Sequence, residues 1–343
     1  MVLAAFVVVA GGMRIASEIL IPFLAAIFVA VVSLPPTTLL VRVGFPRWMA
    51  AITVFIIVFM AAIGTTTAVA TAATSFASEL PQYEDLFRIK LEEFVAWMQG
   101  KGADITMDQV DDVLDPSLLF PYLQSALTSL LGLVQSTFFV LLTVIFILME
   151  ATVIPGKIQA ITHRPDDDLA RWKKVLRDLQ GYLAVKTYTS LATGMLAGTG
   201  CWMLGVPYPI IFGLVAFVLN YVPALGSIIA AIPAVLLALV LNGPINALLV
   251  AALYAGINIS IGNLLEPRIM GRRMGLSPLV VFLSLVFWGF VLGPVGMFLS
   301  VPLTMIVKIL LEGTEDLRWL GILLGPGGDT DIHAIKNEDA PHP

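Results

Sequence analysis

Long apolar segments, separated by short polar stretches, run along most of the chain. A helix needs about 20 mainly apolar residues to cross the hydrocarbon core of a membrane. The first segment, residues 2–34, is long enough for two helices, which we expect to join between Arg14 and Pro22. The pattern predicts membrane helices within 2–34, 48–75, 126–149, 181–204, 208–241, 244–264 and 278–311.

Two of these segments, 208–241 and 278–311, are too long for one straight crossing. Each has 34 residues, and a straight helix of that length would extend over about 51 Å, against a hydrocarbon core of about 30 Å. Each also contains a helix break, PALG at 223–226 and GPVG at 293–296, because Pro and Gly interrupt helices. We therefore predict two re-entrant helical hairpins. A single kinked and strongly tilted helix is the alternative for the first segment.

The same two segments align with each other as an internal repeat. An offset of 69 residues pairs Pro209 with Pro278 and Pro233 with Pro302, and it brings the two breaks within two or three residues of each other. Matching Gly/Pro-interrupted segments are typical of transporter substrate sites. The reason is that irregular backbone is tolerated at membrane depth only where it lines a cavity or is buried in protein.

The basic residues predict the orientation, because Lys and Arg stay on the cytoplasmic side in short loops. Arg42 and Arg47 place the loop after the second helix inside. The insert 76–125, with ten acidic and three basic residues, then lies outside, and the basic loop 157–177 lies inside. If the first hairpin enters and leaves by the outer face and the second by the inner face, the repeat is inverted. The same arrangement keeps three further arginines on the cytoplasmic side: Arg268, Arg272 and Arg273.

The predicted fold class is an all-α polytopic membrane protein. It has about six membrane-spanning helices plus two re-entrant Gly/Pro-broken hairpins that form an inverted repeat, nominally eight hydrophobic segments. Five regions follow: N-terminal scaffold helices at 1–75, an extracytoplasmic acidic helical insert at 76–125, a membrane helix with a cytoplasmic basic loop at 126–180, the inverted-repeat transport domain with both hairpins at 181–312, and an acidic, largely disordered tail at 313–343.

Composition narrows the function. Hydrophobic residues make up 58% of the chain and charged residues 13%, with a mean hydropathy of +0.94, which is typical of a multi-pass membrane protein. The net charge is −5, so no broad basic face predicts a nucleic-acid partner. All three histidines lie in loops or the tail and no P-loop motif is present, so we expect neither an enzyme, nor a cofactor or metal, nor ATP-driven transport.

Polar side chains and breaks inside the apolar segments are the candidate site residues, because polar groups at membrane depth are costly and mostly functional. Helix packing through small and polar residues is the alternative. The predicted substrate or ion site comprises Lys186, Asn220, Pro223, Gly226, Asn258, Asn263, Gly293, Pro294, Gly296 and Ser300.

Glu266 is the one carboxylate next to the core of the repeat helices, so we expect it to couple transport to protons or cations. An interfacial salt bridge to Arg268 or Arg272 is the alternative role for this side chain.

The stretch PRIMGRRMGLSP fits a P-x-x-x-G-x-x-x-G-L-x-P motif, and GSIIAAIPAVL and SLVFWGFVLGPVGMFLSVPLT accompany it. With this order of spans the chain resembles the AI-2E (autoinducer-2 exporter) family, in its TqsA-like branch. The motif residues are Pro267, Gly271, Gly275, Leu276 and Pro278.

The resemblance implies a bacterial inner-membrane secondary transporter that exports autoinducer-2, a small polar metabolite. Other family members resemble Na⁺(K⁺)/H⁺ antiporters, which is the first alternative, and a channel or non-transporting membrane scaffold is the second. The resemblance also implies a homo-oligomer, with a pentamer expected. The predicted partners are therefore the lipid bilayer, a small polar solute, the ions H⁺, Na⁺ or K⁺, and further copies of the chain.

Overall fold

The computed structural model describes residues 2–102, 137–151, 157, 165–223, 225–270, 275–313 and 317–325. In this part of the chain the regular structure is helical and contains no strand. The helices are α1 (Val2–Ile15), α2 (Ser17–Arg42), α3 (Arg47–Gly100), α4 (Thr137–Ala151), α5 (Pro165–Met203), α6 (Pro209–Leu219), α7 (Gly226–Asn242), α8 (Pro244–Ile257), a π-helix (Asn258–Leu265), α9 (Glu266–Met270), α10 (Pro278–Glu312) and α11 (Arg318–Leu323).

The helices confirm an all-α, multi-pass membrane protein. Within the described residues, four helical stretches are long and apolar enough to cross a membrane: Ser17–Arg42, Arg47–Ala68, Pro244–Met270 and Pro278–Glu312. Shorter apolar helices accompany them at Phe139–Glu150, Pro209–Leu219 and Gly226–Asn242. The number of about six spans stays a prediction.

Large apolar side chains cover much of the outer surface. Ile245 is 78% exposed, Leu248 71% and Val8 72%. Exposure of so many large apolar side chains is unfavourable in water, whereas lipid tails do not penalise it.

The chain divides into two compact units. Unit 1 comprises Met1–Phe55, Leu142–Lys186 and Pro267–Pro343, and unit 2 comprises Ile56–Leu141 and Thr187–Glu266. The predicted division into five regions concerns the membrane side and the role of each region, which this division into compact units does not test. It stays a prediction. Within that division, α3 continues past residue 75 to Gly100, while 103–125 of the insert lie outside the described residues.

The core of unit 2 joins α3, α5, α6, α7 and α8, through residues such as Phe76, Cys201, Phe212, Leu237 and Val250. Its tightest contact is a crossing of α5 and α6 at glycines. A Cβ atom added at Gly194 would lie 2.7 Å from the carbonyl oxygen of Gly213, and one added at Gly198 would lie 3.1 Å from that of Pro209. Glycine at these positions lets the two backbones touch, as small residues do in membrane helix pairs.

The first hairpin consists of α6, the break at 220–225 and α7. Asn242, at the end of α7, donates its side-chain amide to the carbonyl oxygen of Gly205 at 3.4 Å. Gly205 lies shortly before α6, so the end of α7 and the start of α6 lie close together. At the break the arms touch, because a Cβ atom added at Gly226 would lie 1.7 Å from the carbonyl oxygen of Leu219. The segment therefore folds back on itself.

The second hairpin is α10, which is bent at Gly293 with φ 65° and ψ −151°. Trp288 donates its indole N–H to the hydroxyl of Thr304 at 2.9 Å, although residues 16 apart would be about 24 Å apart along a straight helix. A Cβ atom added at Gly296 would lie 2.0 Å from the carbonyl oxygen of Trp288. The second long segment therefore also folds back.

The two hairpins repeat one close contact. Gly226 and Gly296, which lie within one residue of the 69-residue offset, each bring the second arm onto a carbonyl of the first. In unit 1 the second hairpin packs on α1 and α2, because Met13 and Leu24 pack against the buried cluster that contains Trp288 and Leu292. That the two hairpins are re-entrant, and that they enter from opposite membrane faces, stays a prediction.

Candidate functional site

A stripe of polar side chains is buried along one face of α5. Thr189 is 3% exposed, Ser190 0% and Thr193 3%, and we call these three residues the hydroxyl stripe. Their spacing places them on one side of a helix. Lys186, a predicted site residue, precedes them by one turn on the same helix and is also buried.

The tip of the first hairpin is tied to α5 by two side-chain hydrogen bonds. Asn220 is the C-cap of α6, is buried, and donates its side-chain amide to the Ser190 hydroxyl at 3.0 Å. Tyr221 donates its hydroxyl to Thr187 at 2.8 Å. Because each bond joins α5 to the break, the tip is held against a polar face and not only against apolar side chains.

The predicted break residues shape this tip. Pro223 lies in the turn, where its carbonyl oxygen accepts from the backbone N–H of Leu225 at 2.7 Å. Gly226 begins α7, and the carbonyl oxygen of Leu219 occupies the space that any side chain would need. Both residues therefore form the turn geometry instead of offering a side-chain group.

A second polar contact joins α7 to the π-helix. Ser227 donates its hydroxyl to the amide oxygen of Asn258 at 2.8 Å, and Asn258 begins the π-helix. A Cβ atom added at Gly262 would lie 2.9 Å from the same amide oxygen. π-Helical turns are rare and concentrate at functional sites. Asn263, on the same π-helix, is exposed.

Glu266 follows the π-helix directly and is half-buried. The hydroxyl of Thr189 lies 3.5 Å from its carboxylate oxygen Oε2, at the outer limit of a hydrogen bond. The structure thus brings the predicted coupling residue next to the hydroxyl stripe of unit 2. Arg272, one partner in the alternative salt bridge, lies outside the described residues.

The polar groups of the second hairpin are bonded within that hairpin. Ser300 is fully buried and donates its hydroxyl to the carbonyl oxygen of Met297 at 2.8 Å. Gly293 provides the bend, Pro294 is exposed beside it, and Gly296 is buried at the arm contact. These predicted residues belong to unit 1 and contribute backbone geometry more than free polar side chains.

The family motif builds the start of the second hairpin. Ser277 caps α10 by accepting from the backbone N–H of Val280, and Pro278 is the first helical residue. Leu276 is buried in the core of unit 1. Gly275 has φ +58°, and a Cβ atom there would lie 3.1 Å from the Lys308 amine. Of the two remaining motif residues, Pro267 is exposed, and Gly271 lies outside the described residues.

A cluster of one carboxylate and two tyrosines, Glu79, Tyr83 and Tyr208, forms where α3 continues beyond its apolar span, and the sequence did not reveal it. Glu79 accepts a hydrogen bond from Tyr83. The hydroxyls of Tyr208 and Tyr83 lower the pKa of Glu79 from its usual value, while burial and the neighbouring Glu79 raise the pKa of Tyr83. Tyr208 has a left-handed backbone with φ 57° and immediately precedes α6, so the cluster anchors the start of the first hairpin to α3.

The hydroxyl stripe, Tyr221 and Ser227 were also missed as site residues. The spacing of Thr189, Ser190 and Thr193 was a usable signal, because it places three hydroxyls on one face of an apolar segment. Within the described residues, no group of three His, Cys, Asp or Glu side chains could hold a metal ion.

An all-helical multi-pass architecture with polar groups gathered at a helix break defines a membrane transporter. Residues 3–316 match the model of the AI-2E family transporter, and the chain belongs to the AI-2E transporter family.

Relatives cover nearly the whole chain. The chain is 42% identical over 322 residues to the AI-2 transport protein TqsA of Escherichia coli (strain K12), with 94% of each chain covered. It is 35% identical over 325 residues to the putative transport protein YhhT of the same organism, covering 95% of this chain and 93% of YhhT. A putative transport protein of Haemophilus influenzae is 35% identical over 329 residues, with 94% of each chain covered.

Proposed function

We propose that the protein is a secondary transporter of the bacterial inner membrane that exports a small polar metabolite such as autoinducer-2, driven by an ion gradient. The similarity to the AI-2 transport protein TqsA over 94% of the chain supports this solute. The observation that carries the proposal is the bond between Asn220 and Ser190, which gathers buried polar groups at the tip of the first hairpin.

Solute binding at this tip follows from the physics of the membrane interior. A hydrocarbon environment offers no hydrogen bonds, so polar groups persist there when they pair or serve a ligand. The tip of the first hairpin combines an amide with several hydroxyls, at Asn220, Ser190, Tyr221 and Thr187. A small polar solute would exchange its hydration for these groups.

Glu266 is the proposed coupling residue. Its carboxylate lies 3.5 Å from the hydroxyl of Thr189. An ionised carboxylate only accepts hydrogen bonds, whereas a protonated one also donates. Protonation would therefore change the hydrogen bonding of the hydroxyl stripe and with it the affinity for the solute.

The proposed transport step exposes the two hairpin tips alternately to the two sides of the membrane. We expect residues 181–312 to be the moving part. The packing of the second hairpin on α1 and α2 within unit 1 favours a variant of this mechanism, in which the two hairpins belong to different moving bodies.

Alternation is tested with single cysteines at Ser227 and Pro294, one beside each break. The native Cys201 is fully buried and gives a low background. A membrane-impermeant thiol reagent should label each site in a manner that depends on the direction of the imposed gradient. If the extent of labelling at both sites is the same under opposite gradients, the mechanism is contradicted.

The Na⁺(K⁺)/H⁺ antiporter is the second candidate function, and the contact of Glu266 with Thr189 favours it, since a carboxylate beside hydroxyl oxygens suits a hard cation. Proteoliposomes that contain wild type or Glu266→Gln separate the two functions. Uptake of labelled autoinducer-2 and a pH-sensitive dye are followed under imposed gradients of H⁺, Na⁺ and K⁺.

Autoinducer-2 flux that requires the proton gradient supports the exporter. A dye signal driven by Na⁺ or K⁺ alone, and abolished in Glu266→Gln, would replace it with the antiporter. The homo-oligomer and the orientation with the acidic insert 76–125 outside stay predictions, and crosslinking and protease protection test them.

A further inference from the structure

Hydroxyl side chains elsewhere in the described helices, including the rest of α5, mostly bond back to their own helix. Each donates to a carbonyl oxygen three or four residues earlier, as Thr199 does to Met195 at 2.6 Å. Serine and threonine commonly satisfy themselves in this way inside membranes. The same bond is made by Ser33, Thr37, Thr65, Thr67, Thr71, Thr74, Ser75, Ser284 and Ser300.

The hydroxyl stripe of α5 departs from this pattern. Thr189 points to Glu266 and Ser190 accepts from Asn220. Thr193 is 3% exposed, and its hydroxyl has no hydrogen-bond partner among the described residues. A buried hydroxyl without a partner is unfavourable in the unliganded protein, so an additional group is expected to bind there.

Thr193 stands beside the bonded pair Ser190 and Asn220. Residues three apart on a helix have Cβ atoms about 5–6 Å apart, so one small ligand group reaches both Thr193 and Ser190. The bond to Asn220 uses the Ser190 oxygen as an acceptor and leaves the Ser190 hydrogen for a further acceptor.

The backbone around Thr193 is held in place. The next residue, Gly194, packs on α6 so closely that an added Cβ atom would lie 2.7 Å from the Gly213 oxygen and 2.9 Å from the Phe217 Cβ. α5 therefore has little freedom to turn Thr193 towards another partner. Rigid support of this kind is what a preorganised binding site needs.

We propose that Ser190, Thr193 and Asn220 form a subsite that binds an uncharged hydroxyl group of the transported solute. The subsite offers donors and acceptors together, which matches a hydroxyl group, whereas a bound cation would require acceptors alone. The inference rests on the proposed transport function and adds to it the residues and the ligand chemistry.

The first test uses Thr193→Val, which keeps the side-chain shape and removes the hydroxyl. In the purified, unliganded protein we expect this change to raise the apparent Tm, because an unpartnered buried hydroxyl disappears. Thr199→Val is the matched control on the same helix, since its hydroxyl is exposed and already bonded. A lowered Tm in Thr193→Val would overturn the proposal, because it would mean that the hydroxyl is satisfied within the protein.

The second test measures equilibrium binding of labelled autoinducer-2 and of labelled ribose to the purified protein. We expect Thr193→Val and Ser190→Ala to weaken binding about fivefold to tenfold, the loss expected for one hydrogen bond. Thr193→Ser, which keeps the hydroxyl, should restore it, and Thr199→Val should bind like wild type.

The outcomes separate the subsite from the proposed function. If wild type binds ribose but not autoinducer-2, and Thr193→Val binds ribose more weakly, the subsite is upheld and the proposed solute is refuted. Transport of autoinducer-2 with unchanged binding in Thr193→Val upholds the function and overturns the subsite. The subsite is also overturned if wild type binds neither probe. It is overturned as well if wild type binds radioactive sodium and Thr193→Val does not.

Discussion

Gly226 is the position where the two arms of the first hairpin meet most closely. Gly226→Ala would place a Cβ atom 1.7 Å from the carbonyl oxygen of Leu219 and 2.5 Å from its carbonyl carbon. Ordinary contact begins near 3.4 Å, so the arms would have to separate by about 1.7 Å. Because the obstacle is backbone, no side-chain rotation relieves it.

Overpacking of this kind costs about 3 kcal/mol. An apparent Tm shift of about 2–4 °C per kcal/mol is typical of domains of about 150–250 residues, the size range of unit 2, so Gly226→Ala should lower the Tm by about 6–12 °C. Thermal unfolding of the purified protein in detergent, followed by tryptophan fluorescence, measures this shift.

Gly256→Ala is the matched control. It lies in α8 of the same unit, and an added Cβ atom meets nothing within 4 Å. Alanine replaces glycine favourably in a helix by about 0.5–1 kcal/mol, so this variant should unfold at or slightly above the wild-type temperature. If Gly226→Ala has the same apparent Tm as Gly256→Ala, the two arms do not approach each other as closely at the tip as described.

Three further predictions follow from single contacts. Trp288→Phe removes the indole donor to Thr304 and should lower the apparent Tm by about 2–4 °C for about 1 kcal/mol; an unchanged Tm would argue against the fold-back of the second hairpin. The Tyr208 and Tyr83 hydroxyls lower the pKa of Glu79 from 4.5, so its stabilising contribution is present above that pH and is lost as the pH falls through the lowered value. Tm measured against pH should therefore be flatter in Glu79→Gln than in wild type on the acidic side, and two parallel curves would refute the cluster. Gly262→Ala should press on the Asn258 amide and reduce transport severalfold with little change in Tm, and wild-type flux in proteoliposomes would contradict a role for that amide.

The fold-back of the two long segments could be predicted from the sequence because its signals are local. Excess length, a Pro or Gly break and the 69-residue offset between Pro209 and Pro278 all stand in the printed chain. The reason why glycine is needed at position 226 could not be predicted from the sequence. The carbonyl of Leu219 against Gly226 becomes visible only when the arms are folded together.

The polar site was predictable in part. Asn220, Asn258 and Glu266 could be singled out because polar groups inside apolar segments are few, and the structure gives each a side-chain contact within unit 2. Ser300 was singled out by the same rule, yet its hydroxyl bonds to its own helix. Composition does not distinguish a hydroxyl that bonds locally from one that faces another helix.

The remaining features depend on tertiary contacts that leave no local pattern. The π-helix at Asn258–Leu265 carries no sequence signature, and the bond from Ser227 to Asn258 joins separate helices. Glu79 and Tyr208 meet although they lie in distant parts of the chain. Such groups become recognisable as partners only after the helices have packed.

The proposal that the polar tip of the first hairpin carries transport is tested by gradient-driven flux of labelled autoinducer-2 into proteoliposomes. The flux is compared among wild type, Asn220→Ala and Thr199→Ala. Asn220 is the buried amide that joins the first hairpin to the hydroxyl stripe, whereas Thr199 is an exposed hydroxyl on the same α5. We expect flux in wild type and Thr199→Ala and its loss in Asn220→Ala with the fold retained. Equal flux in all three proteins, or none in wild type, would contradict the proposal.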